Sequence, residues 1–417
     1  MGIEKINLNG AQKYPEKEDI HVGVRNTDKY SKERAWHEER WRSKSEDSKN
    51  ILGKPKFTPE EIMRQEADRD NEYFDRLQHE EYAAWQADLQ PVIDGFMEKA
   101  NNPEKECINV IYMKGGGMKS AYTGGQIWAL NAMGITSDKV DYIFGSSSGS
   151  VTAAAYAGGS EETNKGLRML TGPLSSKEFI SAKRILSGDI IKLELAEQIM
   201  SEGEFALDEE KIREFKGRLF FNVTEPTEGD EVPIVRFLDM KNTEDNPSIP
   251  SRIRSSMSIG SRVTGEIPEI DGVKYQDGDY NTLPMAEVIA KVKETLPPEM
   301  SGVEINVLIL PQTPFEVIDD IKPSQIEYNM ASLGKIGRGS ASLADARKLL
   351  LAREGLRRDL EEIQEIEHVK IGIMWPPNDE LTSTNIDSDE AKASIISSAR
   401  DTIKQFGGEQ PETISFN

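Results

Sequence analysis

A chain of 417 residues is long enough for two or three domains, and its formal net charge of −22 disfavours nucleic acid, whose phosphates require a basic surface. The same charge disfavours unaided adsorption to an anionic membrane. With 37% hydrophobic and 30% charged residues, the composition predicts a soluble protein with a large solvated portion. The single cysteine, Cys107, excludes an intrachain disulfide framework, and four scattered histidines beside it predict no metal site. No cofactor is expected.

The first hundred residues are dense in charged side chains and differ from the rest of the chain. Their start, MGIEKINLNG, lacks the apolar segment of a secretory signal. We therefore expect a cytoplasmic protein, with export by a route that needs no such signal left open. The sequence TPEE at residues 58–61 predicts a helix start, and the helix is expected to run to about residue 99. No apolar run approaches the ~20 residues that span a bilayer.

A first strand-turn-helix unit begins at residue 108. The run INVIYM at residues 108–113 predicts a buried strand, which ends in Gly115, Gly116 and Gly117. Apolar residues with helical spacing follow over residues 118–130. Backbone N–H groups in a glycine loop at a helix start form an anion site, and such a site can stabilise a tetrahedral oxyanion.

A second unit of the same kind follows directly. Residues 142–144 predict a short strand, GSSSG occupies residues 145–149, and a helix rich in small residues is predicted from there to residue 157. This is the G-x-S-x-G nucleophile elbow, in which a sharp turn presents a serine between a strand and a helix. Ser147 is therefore the candidate nucleophile. Gly145 and Gly149 flank it where backbones approach too closely for a Cβ.

A nucleophilic serine needs a base, and few histidines are available. Three of the four precede the elbow in the polar N-terminal stretch, and only His368 follows it. A Ser-Asp-His order with His368 remains open on counting alone. Asp277 is the second candidate, because a strand-like segment ends there in a turn at Asp277-Gly278. An aspartate before glycine is also common as simple turn chemistry.

Strands and helices alternate through the remainder of the chain. Strands are predicted at residues 218–224, 233–238, 305–310 and 369–374, and helices at residues 251–259, 285–296, 342–366 and 387–407. This alternation predicts an α/β fold with a central, mostly parallel sheet and helices on both faces. The N-terminal hundred residues would form an appended helical and irregular extension.

Three segments, KGGGMKS, GSSSG and DGD, occur in this order and together resemble the patatin-like phospholipases. The resemblance runs from about residue 108 to at least residue 284, and it includes the segment IRSSMSI ahead of the aspartate. The downstream segments VLILPQ and WPPNDEL are reminiscent of a bacterial subgroup, with a looser match. The sequence departs from the family pattern at Ser120, where a further glycine is usual, and at Asp279, which replaces the second glycine of DGG.

The resemblance implies a patatin-like three-layer sandwich and a serine acyl hydrolase that cleaves carboxylic esters of lipids or other acyl esters. It implies that Ser147 and Asp277 form a catalytic dyad without histidine. It also implies that the Gly115–Gly117 loop is the oxyanion hole. Lys119, Gly145, Gly149 and Gly278 would support this site. On this basis we predict a charged extension at residues 1–100, a catalytic domain at 101–320, and a helix-strand-helix region at 321–417 packed on it.

Two other hypotheses about the function are compatible with the sequence. One is an esterase of the α/β-hydrolase kind in which His368 is the base. The other is a catalytically weakened relative that binds lipid or a partner protein, since Asp279 would add a negative charge beside Asp277. Peripheral membrane contact is compatible with the sequence, and the sequence does not indicate an oligomeric state.

Overall fold

The computed structural model describes the greater part of the chain from residue 89 onward. The described residues are 89–102, 105–181, 184, 190–225, 234–241, 248–259, 264, 268–278, 285–300, 302–312, 368–376, 387–408, 411 and 414–415. Most of the N-terminal extension, the predicted helix at residues 342–366, and Asp279 lie outside them. The expectations for these segments therefore stay predictions.

Helices and strands alternate as the sequence predicts. The helices of the described residues are α1 (Leu89–Asn101), α2 (Ser120–Ala132), α3 (Gly149–Ala157), α4 (Ser160–Thr171), α5 (Leu193–Ser201), α6 (Glu209–Arg213), α7 (Ile249–Ser256), α8 (Met285–Thr295) and α9 (Ser388–Gln405). The strands are β1 (Cys107–Met113), β2 (Tyr142–Ser146), β3 (Arg218–Glu225), β4 (Ile234–Asp239), β5 (Glu269–Ile270), β6 (Val273–Lys274), β7 (Gln276–Asp277), β8 (Glu304–Leu310) and β9 (Val369–Ile373).

A mixed, mostly parallel sheet forms the centre of the molecule, with the strand order β4-β3-β2-β1-β8-β9. The strands β3, β2, β1, β8 and β9 are mutually parallel. β4 and the short β7 pair antiparallel with β3. Order and direction together give the mostly parallel α/β fold that the sequence predicts.

Both faces of this sheet are covered, which gives three layers. Alternate side chains of β1 enter two separate apolar clusters, because successive residues of a strand point to opposite faces. Ile111 and Met113 pack in the cluster that includes α1, α2 and α3. Val110 and Tyr112 pack on the other face, against α8. β1 is buried along its whole length, as expected for a parallel strand between two helical layers.

α9 forms a further contact outside this sandwich, against α2. A Cβ on Gly125 would lie 2.3 Å from the Ile395 carbonyl oxygen, so the glycine allows the two helix backbones to approach. Ser398 Oγ also donates to the Tyr122 carbonyl at 2.8 Å. The sheet itself continues past residue 320, since β9 is a neighbour of β8. The division of the chain into three segments remains a prediction.

Cys107 lies at the amino end of β1, and its side chain is fully buried. Burial raises the pKa of the thiol, which keeps it protonated. The residue is therefore the small buried side chain that its position before a core strand predicts.

Candidate active site

The two turns predicted from the sequence lie at the carboxyl ends of neighbouring parallel strands. β1 and β2 pair in parallel, with Val110 opposite Tyr142 at the start of the pairing. The glycine loop follows β1, and the elbow follows β2. Ligand sites of open α/β sheets form outside the carboxyl ends of their strands, where neighbouring crossovers diverge. The two predicted turns are therefore adjacent in space.

Ser147 occupies the tip of the elbow in a left-handed backbone conformation, with φ of 50°. A non-glycine residue rarely adopts this region, and its cost is about 1–2 kcal/mol. The flanking glycines explain how the turn closes. A Cβ on Gly145 would lie 2.7 Å from the Ser150 Cα, and one on Gly149 would lie 2.3 Å from the Met113 carbonyl oxygen. Both glycines therefore have the close-approach role that the pattern predicts.

Asp277 reaches Ser147 through the pairing of β3. One edge of β3 pairs with β4. The other edge pairs first with β2, as far as Ser146 opposite Asn222, and then with β7, where Asp277 is opposite Val223. β7 therefore takes the place of β2 beside β3, starting where β2 ends and the chain turns into the elbow. The aspartate and the serine are consequently brought together from positions 130 residues apart.

The Ser147 hydroxyl donates a hydrogen bond to Asp277 Oδ2 at 2.6 Å. Both side chains are nearly inaccessible to solvent, with relative exposures of 9% and 5%. A nucleophile and a base within hydrogen-bond reach are the geometric requirement for an activated serine. The buried surroundings strengthen this hydrogen bond relative to one in water.

Ser256, at the end of α7, holds the backbone of the elbow, a role that the sequence alone did not suggest. Its hydroxyl accepts hydrogen bonds from the Ser147 N–H and the Ser150 hydroxyl, each at 2.9 Å. It donates its own proton to the Asn222 carbonyl at 2.6 Å. One side chain therefore joins the elbow to β3. Its place in a serine-rich helix just before the Asp277 turn is the signal that could have indicated it.

Backbone carbonyls at and just after the end of α7 also hold Asp277 in position. The Asp277 N–H donates to the Ser258 carbonyl at 2.8 Å, and the Gly278 N–H donates to the Ser256 carbonyl at 3.2 Å. Gly278 lies so close to β3 that a Cβ there would be 2.3 Å from the Asn222 carbonyl oxygen. The end of α7 thus orients both members of the pair, Ser147 by a side chain and Asp277 by carbonyls.

α7 is in turn anchored to α5. Arg254 donates to Glu197 at 2.9 Å and forms a second ion pair with Glu194. The Arg254 side chain is mostly buried, so these charged contacts are screened less than surface ones. They hold the helix whose end carries Ser256.

Replacing Ser256 by alanine is expected to lower kcat for the ester hydrolysis that the family resemblance implies about 10- to 100-fold, with little change in KM. The reason is that about 1 Å of misplacement of a reacting group can cost 10²-fold. Steady-state kinetics measures this. Ser255→Ala is the matched control, since Ser255 lies on the same buried turn and donates to the Ser251 carbonyl instead of the elbow. Equal kcat values for the two variants would contradict the positioning role.

The glycine loop begins a helical turn and faces the elbow. Gly117 has φ of 62°, a conformation that favours glycine, and starts a short 3-10 helix at Gly117–Lys119. The N–H groups of the first residues of a helix have no carbonyl acceptor within it. The Gly116 N–H donates to the Ser148 hydroxyl at 3.3 Å. The Gly116 N–H of this loop is therefore directed toward the elbow.

Lys119 and Ser120 follow the glycine loop directly. Lys119 is half-buried in the 3-10 turn. Ser120 is fully buried at the start of α2, and its hydroxyl has no hydrogen-bond partner among the described residues. The turn thus accommodates a serine at the position where the family pattern has glycine.

His368 precedes the edge strand β9 and lies at the opposite end of the parallel strands from Ser147. It is exposed and immediately precedes β9, and its carbonyl accepts from the Ile305 N–H at the start of β8. The register places His368 level with Cys107, whereas Ser146 lies beyond Met113 at the other end of the parallel strands. At ~3.3 Å per residue the separation is on the order of 20 Å. The geometry therefore does not support His368 as the base.

The described residues contain neither a cluster suited to a metal ion nor a helix suited to span a membrane. Within the described ranges, no group of three or more His, Cys, Asp or Glu residues is arranged to hold a metal ion. None of the helices in the described part of the chain combines the length and apolarity needed to cross a bilayer.

Comparison with known proteins relates part of the chain to one protein family. Residues 111–287 match the model of the family described as patatin-like phospholipase. No curated protein sequence matches the chain. Among solved structures, VipD from Legionella pneumophila is similar at 14% identity and a TM-score of 0.29, over 70% of this chain and 67% of that one. ExoU in its complex with SpcU, from the type III secretion system of Pseudomonas aeruginosa, is similar at 14% identity and a TM-score of 0.24, over 61% and 52%.

The segment that matches the patatin-like phospholipase model, residues 111–287, includes the elbow, the Asp277 turn and α7. This confirms the resemblance carried by KGGGMKS, GSSSG and DGD. A lipid acyl hydrolase is the general activity that this class supports.

Proposed function

We propose that this protein hydrolyses carboxylic ester bonds of lipids with Ser147 as nucleophile and Asp277 as its base. The hydrogen bond of 2.6 Å between the Ser147 hydroxyl and Asp277 Oδ2 is the observation that carries the proposal. The left-handed backbone of Ser147 supports it, because strain of this kind at an elbow presents the side chain to a substrate.

In the acylation step, Asp277 takes the proton of Ser147 as Oγ attacks the ester carbonyl carbon. The negative charge that develops on the carbonyl oxygen is held by N–H groups of the Gly115–Gly117 loop. When the intermediate collapses, the bond to the leaving alcohol breaks and Asp277 returns the proton to that alcohol. An acyl-enzyme on Ser147 remains.

Deacylation repeats these steps with water. Asp277 accepts a proton from a water molecule as its oxygen attacks the acyl carbonyl, and the same loop holds the second oxyanion. Collapse releases the carboxylic acid and restores the Ser147 hydroxyl. Lys119, Gly145, Gly149 and Gly278 shape the loop, the elbow and the aspartate turn in this mechanism.

The proposed substrates are zwitterionic or uncharged lipids, with peripheral and transient contact between protein and lipid surface. The net charge of −22 favours these lipids over anionic ones, because an acidic protein is repelled from an anionic interface. Phosphatidylcholine in neutral mixed micelles is therefore the first substrate to use.

Native protein is expected to release fatty acid from these micelles, and Ser147→Ala is expected to abolish the release, because the variant has no nucleophile. Chromatography with mass detection of the free acid measures this and identifies the chain removed. Ser175→Ala is the matched control, since Ser175 is a buried serine whose hydroxyl donates to the Leu170 carbonyl.

Undiminished release by Ser147→Ala would overturn the nucleophile assignment. Absence of release by folded native protein, from phosphatidylcholine and from short-chain esters alike, would overturn the hydrolase proposal in favour of a lipid-binding relative.

A further inference from the structure

We propose that Gln312 is a positioning residue that sets the geometry of the oxyanion loop, an inference that rests on the proposed ester hydrolysis. Gln312 lies beyond the family-matched segment, two positions after β8, and its side chain is 1% exposed. β8 pairs with β1 up to Leu310 opposite Met113, so Gln312 emerges beside the start of the glycine loop.

The amide of Gln312 bridges the loop and the elbow. Its Nε2 donates to the Lys114 carbonyl at 2.5 Å, directly before the glycines. Its Oε1 accepts from the Ser148 hydroxyl at 3.2 Å, directly after the nucleophile. These are the two backbone segments that would surround an oxyanion, because such holes combine the residue after the nucleophile with a second loop.

The direction of these hydrogen bonds is determined by chemistry. A carbonyl only accepts, so the NH₂ group of Gln312 must face Lys114 and the amide oxygen must face Ser148. The Ser148 hydroxyl consequently gives its proton to Gln312 and turns its lone pairs to the Gly116 N–H, 3.3 Å away. The Gly116 N–H therefore points toward the elbow. Its hydrogen bond to the Ser148 hydroxyl is long, so a developing oxyanion can replace that hydroxyl as the acceptor.

Packing reinforces the same restraint. A Cβ on Gly116 would lie 2.6 Å from Oε1 and 2.9 Å from the Cβ of Gln312, so the loop backbone rests directly on this side chain. Donors of an oxyanion hole act at about 2.7–3.1 Å from the oxyanion, and small displacements weaken them. Gln312 therefore acts on the transition state through the position of the loop and does not itself touch the reacting atoms.

The test compares Gln312→Met, which keeps the shape and loses both hydrogen bonds, with Gln312→Glu, which keeps an acceptor, loses the donor to Lys114 and adds a negative charge. We expect kcat to fall about 10- to 100-fold in the Met variant and further in the Glu variant, with KM nearly unchanged. Gln126→Met is the matched control, because Gln126 is fully buried and donates to the Met374 carbonyl at 2.7 Å, away from the loop.

A second readout separates positioning from general structure. A trifluoromethyl ketone lipid analogue adds to Ser147 and places an oxyanion in the hole, so its inhibition constant should rise by the factor by which kcat/KM falls. Unchanged kcat and unchanged ketone affinity in both variants would overturn the inference while leaving the dyad intact. A raised KM at unchanged kcat would overturn it as well, since it would assign Gln312 to substrate binding. Loss of the Ser147 dependence of hydrolysis would overturn the proposed function, and this inference with it.

Discussion

Asp277→Asn is expected to lower kcat for ester hydrolysis by about 10²- to 10⁴-fold, which is the usual contribution of a general base. An amide has nearly the volume of the carboxyl but cannot take the proton that Ser147 gives up. The protein should fold normally, because two hydrogen bonds at this position involve only the backbone of residue 277 and remain in the variant. The Asp277 N–H donates to the Ser258 carbonyl, and the Asp277 carbonyl accepts from the Thr224 hydroxyl. Steady-state hydrolysis of a soluble short-chain ester measures the loss without the complication of a lipid surface.

His368→Ala is the control for this prediction. His368 is exposed at the amino end of β9 and lies far from Ser147 along the strands, so its removal should leave kcat unchanged. The opposite pattern, with an active Asp277→Asn and an inactive His368→Ala, would support an esterase of the α/β-hydrolase kind and contradict the dyad.

Gly149→Ala is expected to destabilise the domain by ~3 kcal/mol and to abolish activity, because overpacking against atoms that cannot move is costly. The added Cβ would lie 2.3 Å from the Met113 carbonyl oxygen and 2.5 Å from that of Lys114, both of which are backbone. Relief requires α3 to move away from β1, and that movement displaces Ser147. Thermal unfolding should show a fall in Tm of several degrees.

Gly302→Ala is the matched control, since a Cβ at Gly302 would meet no atom of the described part of the chain within 4 Å. Its Tm and activity should equal those of the native protein. A Gly149→Ala variant with native Tm and native activity would show that the elbow does not need the close approach seen here.

Much of the fold could be predicted from the sequence because its signals are local. β1 and β8 are mainly apolar runs, each with one buried asparagine, Asn109 and Asn306. α9 has Asp387 as an N-cap that accepts from the N–H groups of Asp389 and Glu390. The elbow is also local, since Gly145, Ser147 and Gly149 lie within one turn. Such features follow from steric and capping rules that act over a few residues.

The rest of the site depends on pairings that no local pattern reports. Ser256 bonds to a residue 109 positions away, and Gln312 bonds to residues 164 and 198 positions away. The choice between Asp277 and His368 likewise could not be made by counting residues. The choice follows from strand order and direction. β7 lies in line with β2, next to Ser147, whereas β9 begins at the opposite end of the parallel strands. In the sequence, the turn position of Asp277 at the end of a strand-like segment and the resemblance to the family both favour Asp277.

The most direct test of the dyad is covalent labelling of folded protein with a fluorophosphonate probe, which reports activated serines, across the native protein, Ser147→Ala and Asp277→Asn. We predict strong labelling of the native protein, none of Ser147→Ala, and slow labelling of Asp277→Asn, with the label found on Ser147 by peptide mass spectrometry. Labelling of Asp277→Asn at the native rate would contradict the account, as would a label on any serine other than Ser147.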